Sequence, residues 1–109
     1  MKNALVFDYK YCDKCNSCVV ACQVEHGFSE DEWGIRIAEM GPEMVDGKWM
    51  WDFLPYLSRR CDLCADRVEE GKQPSCVQHC LSACIELVPL EDLPARVEEL
   101  GDRVAVYLQ

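Results

Sequence analysis

The sequence predicts one small α+β domain in which two βαβ units follow one another, with a further helix and strand at the C-terminal end. The chain has 109 residues, which is enough for one domain and too few for two. Short apolar stretches typical of strands alternate with short segments typical of helices. Nine residues are cysteine, and they form two groups of similar spacing, which indicates an internal repeat. We therefore expect residues 1–109 to form a single domain built from two related halves.

Each predicted element rests on a local pattern. Strands are expected where apolar residues alternate or run together between turn residues. The first helix begins at Asn16 or Ser17, either of which suits an N-cap, and Gly27 ends it. Pro74 opens the second helix at a position where its missing N–H costs nothing, and Gly101 stops the third. The predicted strands are Asn3–Tyr9, Ile35–Met40, Trp49–Leu54, Cys84–Val88 and Arg103–Leu108, and the predicted helices are Ser17–Glu25, Pro74–Cys80 and Leu93–Leu100.

Charge and hydropathy exclude several classes of protein. The chain has 11 Lys and Arg against 20 Asp and Glu, a net charge of −9, which argues against nucleic-acid binding. No apolar stretch has the length of a membrane span, so direct membrane insertion is not expected. The first twenty residues resemble no export signal, so we expect a cytoplasmic location unless a partner with a signal carries the chain across a membrane. In a reducing compartment, this density of cysteine indicates metal binding rather than disulfides.

The spacing of the cysteines predicts two iron–sulfur clusters. The first group, Cys12-x2-Cys15-x2-Cys18-x3-Cys22, matches the bacterial ferredoxin run, whose fourth cysteine ligates the other cluster. A gap of three residues places that cysteine one helical turn further on, so one helix can give a sulfur to each cluster. The second group repeats the plan with a longer gap and leaves one cysteine, Cys84, unused. The crossover predicts a ferredoxin-like fold with [4Fe–4S] cluster one on Cys12, Cys15, Cys18 and Cys80, and [4Fe–4S] cluster two on Cys22, Cys61, Cys64 and Cys76.

Several residues have alternative interpretations. Zinc held by four thiolates is the main alternative to iron–sulfur, although four cysteines within eleven residues suit it poorly. Cys84 could be a substitute ligand, a redox-sensitive thiol or a small buried residue, and burial is the favoured interpretation. His26 and His79 are expected to be structural or exposed. The segment around Trp49 and Trp51 could dock a partner or form a lid over the second cluster.

Two stretches resemble the iron–sulfur electron-transfer subunits of the dimethyl sulfoxide reductase family of molybdenum and tungsten enzymes. One runs from Cys12 to His26, and the other from Arg60 to Cys80 with its Asp-Arg-Val, Gly and Pro. Typical members carry four such motifs, and this chain carries two. The resemblance implies the same crossed ligand assignment, a catalytic partner with a molybdenum or tungsten pterin cofactor, and a role in anaerobic metabolism. Two residues depart from the family pattern: Leu81 stands where proline is usual, and Cys84 stands where a small apolar residue is usual.

The sequence predicts an electron carrier that catalyses nothing by itself. It contains no phosphate-binding glycine loop, no nucleophile with an evident base and no dinucleotide fingerprint. We expect an electron-transfer subunit that relays single electrons to or from a catalytic oxidoreductase subunit. A molybdenum or tungsten pterin enzyme is the expected partner, and a flavoprotein is the alternative. The alternatives are a free-standing ferredoxin shuttle and a zinc-stabilised interaction module.

Overall fold

The computed structural model describes residues 3–109 and confirms the predicted α+β class, with antiparallel strands and a few short helices. No helix in this described range is long and apolar enough to cross a membrane. The strands are β1 Asn3–Asp8, β2 Ile35–Val45, β3 Lys48–Leu57, β4 Ile85–Pro89 and β5 Val104–Tyr107. The helices are α1 Ser17–His26, α2 Ala65–Glu69, α3 Ser75–His79 and α4 Leu93–Leu100, with 3₁₀ turns at Tyr9–Tyr11 and Leu90–Asp92.

A three-stranded antiparallel sheet of order β4-β1-β5 forms one side of the core. The central strand β1 is apolar over Ala4–Phe7, and each of these four residues is at most 1% exposed. A short continuous apolar run of this kind is typical of a fully buried strand. Within the pairing, Phe7 lies opposite Ile85 on one side and Ala105 on the other, which places the start of the first cysteine segment and the end of the second beside one sheet.

Strands β2 and β3 pair as a separate antiparallel hairpin. The base of the hairpin joins the core, where Ile35 is 2% exposed and the Tyr107 hydroxyl donates a hydrogen bond to the Pro55 carbonyl at 2.9 Å. Both strands extend further than predicted. Strand β2 continues to Val45 because a bulge between Met40 and Glu43 lets pairing resume, and β3 continues to Leu57, which pairs with Ile35. The bulge needs Gly41, whose φ is +102° and whose missing Cβ would clash with the carbonyl oxygen of the opposite strand.

The two cysteine-bearing helices α1 and α3 pack against each other. The Ser75 hydroxyl donates a hydrogen bond to the Ala21 carbonyl at 3.2 Å, which joins the two helices, and Ser75 is 2% exposed. Asn16 takes the N-cap position of α1 in a left-handed conformation, without a side-chain cap bond, and Gly27 ends the helix. Pro74 is the N-cap of α3, so the helix begins one residue later than predicted. The short helix α2 was not predicted.

Substituting Phe7 by alanine is expected to destabilise the sheet severely. The ring is fully buried and meets Tyr107 edge to face at 5.6 Å between centroids. Removing a buried Phe side chain costs about 3–5 kcal/mol of the free energy of unfolding. Thermal unfolding of Phe7→Ala at matched iron content, followed by far-UV circular dichroism, measures it. Tyr11→Ala, at a ring that is 63% exposed, is the control and should shift the midpoint little; equal shifts for both variants would contradict the expectation.

Candidate metal centre

The chain brings four cysteines from two distant segments around one cavity. These four, called here the first thiol group, are Cys12, Cys15, Cys18 and Cys80. The cavity is closed by Ile37 and Pro55 from the hairpin and by Cys84 and Ile85 before and within β4. Three of the four sulfurs come from the loop before α1 and its first turn, whereas Cys80 follows α3. The structure thus places side by side the cysteines predicted for cluster one.

The remaining four predicted ligands also lie near one another. They are called here the second thiol group and are Cys22, Cys61, Cys64 and Cys76. Negative charge on Cys61 or Cys64 would repel negative charge on Cys22. Charge on any of these three thiols, or on Cys18, would likewise repel charge on Cys76. Cys18 interacts instead with Cys12, Cys80 and Cys15, so the two sets are distinct except where Cys18 and Cys76 face each other.

The helices α1 and α3 each give one cysteine to each group. Cys18 and Cys22 are four residues apart on α1, and Cys76 and Cys80 have the same separation at α3. Residues four apart lie on one face of a helix, one turn above the other. The two helices pack against each other, and the cysteines within them are buried. Cys18, Cys22 and Cys76 are 5–8% exposed.

Left-handed residues shape the loops that carry the other sulfurs. Lys14 and Asn16 have φ near +60° in the first loop, and Leu63 and Cys64 have φ of +60° and +52° in the second. Conformations of this kind next to right-handed ones turn successive N–H groups toward one point and form anion-binding concavities. In the second loop, the Cys64 N–H also donates to the Asp62 carboxylate at 2.9 Å, which fixes the turn.

Burial is the dominant influence on the ionisation of most of these thiols. It raises the pKa of Cys18 to about 12 and that of Cys22 to about 11, and it also raises the pKa values of Cys61, Cys64 and Cys76. A buried thiol without a cation therefore stays protonated, whereas a coordinated metal deprotonates it outright.

Backbone N–H groups point at the sulfurs of both groups. Each such hydrogen bond favours the thiolate over the thiol, so it opposes the effect of burial. Leu63 donates to the Cys61 sulfur at 3.4 Å, and an added Cβ at Gly34 would come within 2.8 Å of the Cys22 sulfur, so the backbone there lies directly on the thiol. The donor and acceptor pairs are Lys14 with Cys12, Val19 with Cys18, Gly34 with Cys22, Leu63 with Cys61 and Ser75 with Cys64.

These residues fit the requirements of iron–sulfur clusters in their donor chemistry. Clusters of this class take thiolate ligands, and hydrogen bonds to the sulfurs tune them. Each group supplies four cysteines and several such hydrogen bonds. Among residues 3–109, no three His, Cys, Asp or Glu side chains converge closely enough to hold a single metal ion.

His26, which was expected to be structural or exposed, contacts the second thiol group. Its Nε2 lies 3.2 Å from the Cys64 sulfur, and its ring stacks on Phe28 with 5.4 Å between centroids. The spacing could have indicated this, since His26 continues the series Cys18 and Cys22 at one more helical turn. His79 is structural as expected, because its Nδ1 lies 2.9 Å from the Ser75 carbonyl one turn earlier.

The interpretation of the tryptophan segment as a lid over the second cluster is wrong for both tryptophans. Trp49 is 69% and Trp51 56% exposed at the outer part of the hairpin. Trp51 donates a hydrogen bond from its indole N–H to Glu39 at 2.7 Å across the hairpin. The part of the segment that does face a thiol group is Pro55, and it faces the first.

Comparison with known proteins gives one local similarity. No family model matches the chain. It is 50% identical over 34 residues to the probable anaerobic dimethyl sulfoxide reductase chain YnfG of Escherichia coli strains K12 and O6:H1. The matched segment is 31% of this chain and 17% of those relatives, so the similarity concerns a small part of their length. It links about a third of the chain to a component of an oxidoreductase.

Proposed function

We propose that the chain is an electron-transfer protein that holds two [4Fe–4S] clusters, one on each thiol group. The observation that carries the proposal is the crossed grouping of eight cysteines, in which each group takes three sulfurs from one sequence motif and one from the other. The same crossing defines the ligands of two-cluster ferredoxins. Each cluster, when bound, takes up and releases one electron.

The protein would contribute ligands, hydrogen bonds and exclusion of water. Buried Cys18, Cys22 and Cys76 keep the helix side of both groups dry. The directed N–H groups stabilise thiolate charge, and hydrogen bonds to the sulfurs and solvent exposure set the reduction potential. Cys15 is the exposed member of the first thiol group, so this side of the protein is the natural route for electrons to enter or leave.

We further propose that the partner is the catalytic subunit of an oxidoreductase, with a molybdenum or tungsten pterin enzyme as the favoured class. The local similarity to a dimethyl sulfoxide reductase chain supports this, as does the resemblance of both cysteine motifs. A groove beside Cys15 favours a subunit over a free-standing shuttle, because Val20, Val24 and Leu81 expose 55%, 76% and 78% of their surface there. Exposed apolar patches of this kind mark interaction sites.

Iron, acid-labile sulfide and zinc per chain, measured on protein purified without oxygen, test the cofactor proposal. We expect about eight iron and eight sulfide, with visible absorption that bleaches on reduction. Stoichiometric zinc without sulfide would contradict electron transfer and would favour the zinc-stabilised module.

The partner is tested by anaerobic purification of the tagged chain from its native source, with elemental analysis of what elutes with it. Molybdenum or tungsten in stoichiometric amount is expected, and Val24→Asp at unchanged iron content should lose it. Co-elution with flavoproteins alone would contradict the pterin-enzyme partner, and an iron-loaded chain that elutes alone would favour the shuttle.

Replacing His26 by phenylalanine is expected to lower the potential of the second cluster. Nε2–H donation to the Cys64 thiolate, at 3.2 Å, stabilises the more negative reduced state. A bond strengthened by about 1 kcal/mol on reduction corresponds to roughly 40 mV for one electron. Phenylalanine retains the stacking on Phe28. Potentiometric titration followed by electron paramagnetic resonance measures the shift; His79→Phe is the control, and equal potentials for both variants would contradict a role for His26.

A further inference from the structure

A fifth sulfur faces the cavity of the first thiol group. Cys84 is 6% exposed, and its sulfur lies 3.7 Å from that of Cys80. Cys84 lines the same cavity as all four cysteines of the first thiol group. Burial agrees with a packing role for Cys84, but a residue that only fills space has no need to place its sulfur beside that of Cys80.

The backbone fixes Cys84 beside the sheet and Cys80 at the start of a turn. The Cys84 carbonyl accepts a hydrogen bond from the Asp8 N–H at 2.8 Å, which ties it to the end of β1 next to the sheet. Cys80 lies just after α3 and begins a turn closed by an Ala83 N–H to Cys80 carbonyl bond at 3.2 Å. Ala83 has φ of +53°, and this left-handed residue turns the chain so that Cys84 returns to the same cavity as Cys80.

We propose that Cys84 is an interchangeable ligand of the first cluster and can take the place of Cys80. The inference rests on the proposed function, because it requires a [4Fe–4S] cluster on the first thiol group. Such a cluster uses four thiolates, and five sulfurs line this cavity. In the exchange, the iron–sulfur bond to Cys80 breaks, a bond to Cys84 forms, and the Cys84 proton passes to the released Cys80 thiolate. No electron is gained or lost.

The second thiol group offers no comparable substitute among the described residues. The cysteines there are Cys22, Cys61, Cys64 and Cys76, and each is needed for a set of four. His26 is the nearest other ligand type, and it contacts Cys64 alone in that group. Loss of one cysteine should therefore have different consequences in the two groups.

Iron and sulfide content of four chains, prepared without oxygen, tests the proposal. Wild type, Cys84→Ala and Cys80→Ala should each hold about eight iron, whereas the Cys80→Ala/Cys84→Ala double variant should hold about four. Electron paramagnetic resonance of the reduced Cys80→Ala chain should show two interacting clusters, and the double variant should show one. Cys61→Ala, at a half-buried position of the second group, is the matched control and should hold about four.

Two results would overturn the proposal. In the first, Cys84→Ala keeps about eight iron, but Cys80→Ala and the smaller change Cys80→Ser both fall to about four iron or both fail to fold. The other is retention of eight iron by Cys61→Ala or by the double variant, because then iron would not depend on Cys84. A wild-type chain without eight iron would instead show that the proposed function itself is wrong.

Discussion

Removing iron and sulfide from the protein is expected to abolish its cooperative unfolding transition. Among residues 3–109, five of the thirteen buried apolar residues are cysteines, and the other eight make a small core for a chain of this length. These five buried cysteines are Cys18, Cys22, Cys64, Cys76 and Cys84. Without the proposed clusters, the sulfurs of Cys18, Cys22, Cys64 and Cys76 lose the bonds that would join α1, α3 and the second loop.

The secondary structure around the thiol groups is too short to persist alone. Helices α2 and α3 have five residues each, and isolated helices shorter than about 12 residues are marginal in water. Metal binding free energy is folding free energy where the site does not exist in the unfolded chain. Domains of this size have a net free energy of unfolding of only about 5–15 kcal/mol. We expect the binding free energy of two clusters to be larger than the stability that the sheet alone provides.

Anaerobic chelation followed by thermal unfolding measures this effect. Far-UV circular dichroism of the stripped protein should show reduced helix and a gradual, non-cooperative change on heating. Reconstitution with iron and sulfide should restore the transition, and Cys84→Ala taken through the same cycle controls for damage to a free thiol. A stripped protein that retains a sharp transition within a few degrees of the loaded one would show that the apolar core suffices.

The elements next to the cysteines were predictable because local patterns and tertiary needs agree there. Strand β1 is both an apolar run and the central strand, and α1 is both a segment that Gly27 ends and the carrier of two cysteines four residues apart. Helix α2 was missed since Ala65–Glu69 has no apolar periodicity; it is held by tertiary contacts, such as the Arg67 ion pair with Glu25 at 3.1 Å.

The rest of the candidate site depended on contacts that spacing does not encode. Gly41 and Pro42 are turn residues, which predict the end of a strand. The strand continues past them because a bulge between Met40 and Glu43 accommodates both residues and pairing resumes. The position of Cys84 required a left-handed Ala83, which no residue preference foretells. The sequence could name Cys84 as the unused cysteine, but only the fold places its sulfur beside Cys80.

The crossed assignment predicts opposite outcomes for two double variants. In the first, Cys22→Ala and Cys61→Ala both fall on the second thiol group, so about four iron should remain. In the second, Cys18→Ala and Cys22→Ala fall on different groups, so almost no iron should remain. Both are made in the Cys84→Ala chain, so that the fifth sulfur cannot compensate.

An uncrossed arrangement, in which each sequence motif holds its own cluster, reverses these results. Cys18 and Cys22 would then serve one cluster, and their joint loss would leave about four iron, whereas loss of Cys22 with Cys61 would leave none. The two variants are matched in that each removes two cysteines and Cys22 is common to them. The two cysteines of helix α1 favour the crossed arrangement, because Cys18 lies near Cys12 and Cys80, whereas Cys22, one helical turn further on, lies near Cys61 and Cys64. If the proposed clusters are bound in this way, electrons would pass between them across α1 and α3.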